Sequence, residues 1–106
     1  MDNLIEKINK LGDMVIEVTD SFYQQKEKQG YQMFESLYTT LIQVVDQLLI
    51  MDDELQIKKN EKNLISQYLI EALQSLENQD VILFADVLRY DVMGLINNIA
   101  GNLQSL

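Results

Sequence analysis

Seventeen carboxylates, with no histidine and no cysteine, bound the chemistry open to this chain of 106 residues. Histidine is the usual proton shuttle near neutral pH, and histidine and cysteine supply most transition-metal ligands. Helical bundles that hold a pair of metal ions through carboxylates still need Glu-x-x-His on two of their helices. That pairing is excluded here. The densest acidic run is Asp52-Asp53-Glu54. It lacks the Asp-x-Asp-x-Asp-Gly spacing of a calcium loop, and reads as an acidic stretch in water.

An acid–base pair of carboxylates needs one member in an apolar setting. Asp46, beside Val45 in the most apolar stretch, is the candidate. It falls about 160° around a helix from the core position Val44, so solvent is its expected surrounding. Ser66 and Ser75 have no neighbouring base. No glycine-rich phosphate loop, Gly-x-Ser-x-Gly or Ser-x-x-Lys motif occurs. The residues point away from an enzyme, and neither a cofactor nor a metal is expected.

Eight Lys+Arg stand against 17 Asp+Glu, a formal net charge of −9. Phosphate backbones and anionic membrane surfaces repel such a chain, so nucleic acid and membrane are not expected partners. A basic surface on another protein suits it better. A hydrophobic fraction of 47% supports a folded core rather than disorder. Zero cysteines exclude a disulfide scaffold. The start, Met1 to Lys7, lacks the basic and apolar regions of a secretory signal. The longest hydrophobic region, Leu41 to Met51, is broken by Gln43, Asp46 and Gln47, and falls short of the about 20 residues a spanning helix needs. A cytoplasmic location and a single domain over residues 1–106 are expected.

These side chains must be carried by helices. Proline is absent, and apolar residues recur every three or four positions. Leu4, Ile8, Leu11, Val15, Val18 and Phe22 make one helical face. The polar run 24–30 ends that helix, and Gly30 suits a left-handed C-cap. Phe34, Leu37, Leu41, Val44, Leu48 and Met51 make a second face. Tyr38, Ile42, Val45 and Leu49 widen it, which predicts the most buried helix of the set. Ile65, Leu69, Ala72, Leu73 and Leu76 make a third. Asn78 suits a left-handed C-cap, and Asp80 an N-cap. The fourth helix, from Val81 to about Ala100, turns Val81, Phe84, Ala85, Leu88, Val92, Leu95, Ile96 and Ile99 to one side.

Four helices with short polar joints predict an all-α, antiparallel up-down-up-down four-helix bundle. A long kinked first helix packed on a helical hairpin is the second choice.

The fourth helix departs from a plain surface helix. Opposite its core line lie Leu83, Val87 and Tyr90, flanked by Ile82 and Met93. A surface helix normally carries charge there. Two uses fit this second apolar face: core packing, or a surface for a protein partner or a second copy of the chain. The stretch from Val92 to Leu106 holds no charged side chain, which adds to the associating character of this end.

The stretches Gly30-Tyr31-Gln32-Met33-Phe34-Glu35 and Leu76-Glu77-Asn78-Gln79-Asp80-Val81-Ile82-Leu83-Phe84-Ala85-Asp86-Val87-Leu88-Arg89-Tyr90-Asp91 resemble a family of small acidic helical proteins of Gram-positive bacteria, described as a domain of unknown function. Arg89 stands where that family commonly has an acidic residue, and Gly94 where proline often follows. The resemblance implies a helical bundle and supplies no catalytic residue. It further implies a link to motility or the cell surface, compatible with a chaperone-like role on exported filament proteins. The combined expectation is a non-enzymatic protein that binds another protein as an adaptor or export-chaperone-like module. A structural homodimer is the alternative, and a carboxylate metal-binding protein a remote one.

Overall fold

The stripe of the first segment becomes the buried side of α1 (Asp2–Tyr23). Leu4, Ile8, Leu11, Val15, Val18 and Phe22 are each at most 3% exposed. The structure is a computed structural model that describes residues 2–51 and 59–104. The acidic run Asp52-Asp53-Glu54 lies outside the described residues.

Two helix ends are built in the same way. After α1, the Gln25 N–H donates to Phe22 O (3.1 Å) and the Lys26 N–H to Ser21 O (2.8 Å). After α3 (Lys59–Glu77), the Gln79 N–H donates to Leu76 O (3.0 Å) and the Asp80 N–H to Ser75 O (2.9 Å). This double pairing satisfies carbonyls that a helix end otherwise leaves open. It requires a left-handed residue, and Gln25 (φ 64°) and Gln79 (φ 61°) take that conformation. The left-handed positions are therefore not Gly30 and Asn78. Each lies three residues past the last inward apolar side chain, Phe22 or Leu76, because the end of the buried stripe decides where the helix stops.

Gly30 instead sits inside α2 (Glu27–Leu49) and is buried. A Cβ on it would lie 2.9 Å from Cε1 and Cζ of Phe22. The glycine serves close approach of the Phe22 ring. That ring meets Tyr31 edge-on at 5.3 Å and Phe84 at 5.8 Å, while Phe34 meets Phe84 at 5.2 Å. Edge-to-face pairs at these separations are attractive as well as apolar. Because residues 24–26 turn the chain and α1 and α2 pack on each other, the single long kinked helix does not form.

Leu37, Leu41, Val44, Val45 and Leu48 of α2 are buried, but Tyr38 and Leu49 are exposed. This helix is not the most buried of the set. It rests mainly on α1 and touches α3 little, so its widened stripe is little covered on that side by the described residues. Asp46 is exposed. In α3, Ile65 and Ala72 are buried and Leu69 and Leu76 partly so, whereas Leu73 is exposed. Tyr68 and the buried Ser75 occupy the inward face in its place. Ser75 donates to Glu71 O (2.9 Å), which satisfies its hydroxyl.

The fourth helical run has three parts: α4 (Val81–Asp86), a π turn (Val87–Val92) and α5 (Met93–Gln104). Asp80 caps α4 as expected, its carboxylate accepting from the Leu83 N–H at 3.0 Å. The Met93 N–H donates to Leu88 O, five residues back, where an α-helix would reach four. This run lies along α1 on one side and α3 on the other. All four helical runs contribute to one apolar core, and no strand occurs among the described residues. The fold is an all-α bundle.

Candidate functional site

A π turn takes in about one residue more than the α-helix around it. Positions on either side then depart from the 100° spacing that defines a helical face. Leu88 and Val92 are buried as the 100° spacing expects, Val87 and Met93 are buried with them, and Tyr90 is 65% exposed. The second apolar face expected from Ile82, Leu83, Val87, Tyr90 and Met93 is therefore not one surface. Val87 and Met93 belong to the core, and Ile82, Leu83 and Tyr90 are exposed. Leu83 and Val87 line a depression of 240 Å³ with Glu71, Gln74, Ser75 and Asn78. Tyr90 and Met93 line a different feature, a trough of 410 Å³ between α1 and the fourth run.

The trough has an apolar floor of Ile8, Val15 and Met93. Gly12 deepens it, and the Met93 methyl lies 3.6 Å from where a Gly12 Cβ would stand. One rim is Asn9, Asp13 and Ile16 of α1. Their spacing of four and three puts them in a row. The other rim is Arg89, Tyr90 and Asn97. Ile16, 46% exposed, and Tyr90 are the large apolar groups standing at its edges.

One end of the trough is closed by a polar clamp. Arg89 Nη1 donates to Asp20 Oδ1 at 2.8 Å and approaches the Thr19 hydroxyl at 3.4 Å. Thr19 is buried and donates to Val15 O at 2.7 Å. The Arg89 guanidinium also stands 5.8 Å from the centre of the Tyr23 ring, within the range of a cation–π contact. The Tyr23 hydroxyl donates to Asp86 Oδ1 at 2.6 Å. Burial, followed by that hydrogen bond and the charge of Asp86, pushes the Tyr23 phenol well above its ordinary value of about 10. The hydrogen bond to Asp20 pushes the Arg89 guanidinium above its own ordinary value. Both groups act as fixed donors at neutral pH, suited to holding elements together.

Ile16, Asp20, Tyr23 and the role of Arg89 escape a reading of the sequence. For Ile16 a signal exists: it is a large apolar residue one position past Val15, on the outer side of the stripe. For the clamp no local pattern suffices, because Asp20 and Arg89 are 69 positions apart. The neighbouring pair Asp86 and Tyr90, spaced to bond along one helix, does not take that role. Asp86 is bonded by Tyr23 instead.

Among the described residues no three acidic side chains gather into a metal-holding group. No helix among them is long and apolar enough to cross a membrane. No curated protein and no solved structure matches the chain. The family model for a domain of unknown function, DUF8042, matches residues 1–101. The chain belongs to that family.

Proposed function

We propose that this is a non-enzymatic, cytoplasmic protein-binding module, an adaptor or export-chaperone-like protein that receives its partner in the trough between α1 and the fourth run. The observation that carries the reading is the pair Ile16 and Tyr90, 46% and 65% exposed on facing rims of a 410 Å³ trough with an apolar floor. Exposed aromatic and aliphatic anchors beside a recess are the composition of a protein contact. A closed small-molecule pocket buries roughly 70–90% of its ligand. Here the rim side chains project into solvent, which suits a partner's surface better.

A structural homodimer would use the same anchors. The net charge of −9 on each copy opposes it, because like charges brought together across an interface are costly.

The test is a photo-crosslinking amino acid placed at position 90 in the producing cell, with position 29 as an exposed control on another part of the surface. The expected result is an adduct with a different protein from position 90 and none from position 29. An adduct with a second copy alone, or no adduct, overturns the reading.

A further inference from the structure

We infer that the occupant of the trough is a cationic amphipathic helix, with its apolar stripe on Ile16 and Tyr90 and its basic residues over the clamped end. This rests on the protein-binding reading of the trough. The rims and the clamp bring Asp13, Asp20 and Asp86 against one cation, Arg89, and that cation is already bonded to Asp20. The C-terminal end of α1 points its dipole at the same place, adding partial negative charge. The opposite end runs along α5, in a stretch from Val92 to Leu106 without a charged side chain. The residues lining the trough are therefore acidic towards the clamped end, while Asn9 and Asn97 line the other end without charge. Opposite potentials across an interface fix both the partner and its direction. A helix presenting apolar residues at i, i+3 or i+4, and i+7 has a stripe that can seat between Ile16 and Tyr90. A second copy of this chain carries the same negative excess and does not supply that complement.

The experiment is a selection of random 18-residue peptides, displayed on phage, against the full chain. The Tyr90→Ser chain is present in solution as competitor. The expected peptides carry a helical apolar stripe and a positive net charge, with Lys and Arg gathered towards one end. Their affinity falls at least tenfold on Tyr90→Ser, at least fivefold on Asp13→Lys, and at least tenfold between low and high salt. Peptides that depend on Tyr90 but are neutral or acidic overturn the cationic inference and leave the trough as the binding site. Enrichment that appears only when the competitor is left out, or no enrichment at all, overturns the trough reading itself. Should Tyr90→Ser not fold, by circular dichroism, Ile16→Ser on the facing rim is the competitor and the outcomes read the same way.

Discussion

The Tyr23 hydroxyl donates to Asp86 Oδ1 at 2.6 Å across 63 positions of sequence. It ties the last residue of α1 to the last residue of α4, where the helix gives way to the π turn. Asp86 is exposed and can return to water if the donor is removed. Tyr23→Phe is therefore expected to cost about 1 kcal/mol, near the ordinary worth of one hydrogen bond. The phenol is raised in the folded chain above its ordinary value of about 10. Its contribution is complete below about pH 10 and is lost as pH climbs through the raised value. Urea unfolding should show a gap between wild type and Tyr23→Phe at pH 8 that narrows by pH 11. A gap of constant size would refute the assignment.

Arg89 and Asp20 form an ion pair at 2.8 Å with side chains 30% and 48% exposed. Solvent screens a pair of that exposure, and its coupling in a double-mutant cycle of Arg89→Gln and Asp20→Asn should be about 0.5–1 kcal/mol. It should shrink in 0.5 M salt. Arg89→Ala should cost more than Arg89→Gln, since the aliphatic stem is lost along with the charge.

Gln25 and Gln79 hold left-handed backbone at φ 64° and 61°. A side chain there costs about 1 kcal/mol that glycine avoids. Gln25→Gly and Gln79→Gly should each stabilise the protein by about 0.5–1 kcal/mol, readable as a higher urea midpoint. The two turns share no residue, so the gains should add.

Gly30→Ala should do the reverse. Alanine normally gains up to about 1 kcal/mol over glycine inside a helix. Here the new methyl would lie 2.9 Å from the Phe22 ring, which Tyr31 and Phe84 hold on other sides. Overpacking of that kind costs about 1–3 kcal/mol, which exceeds the propensity gain and leaves a net loss of up to about 2 kcal/mol. Gly94→Ala is the control: nothing lies within 4 Å of its Cβ position, and the substitution should stabilise.

The buried face of α1 was legible residue by residue, because six apolar side chains at regular spacing on a polar background admit one phase. The cap at Asp80 was legible for a similar reason: an acid directly before an apolar run has an obvious use. The turns were misplaced because glycine and asparagine are the common left-handed residues, and here the end of each buried stripe overrode that preference. The second face of the last helix follows from 100° spacing, which cannot register a π turn. Met93, which follows the turn, lies in the core, Val87 is buried beside α3, and Tyr90 stays outside. The partner for Tyr90 across the trough, Ile16, depends on how two distant helices are set side by side, which no local spacing carries.

Among the described helices, the π turn also gives a place inside a helical run where the length can change by a single residue. Deleting a residue from α1 would swing Val15, Val18 and Phe22 about 100° away from the core. Deleting Tyr90 should close Val87–Val92 into ordinary α-helix, with α4 and α5 keeping their present faces and Ile96, Ile99 and Leu103 still inward. The shortened chain should remain folded, with helical circular dichroism and a urea midpoint near that of wild type, whereas the same excision at Met14 should unfold it. Within the described helices, insertions and deletions among relatives should accordingly be tolerated at the π turn sooner than in α1, so that the helical segment beside the trough can vary in length where α1 cannot.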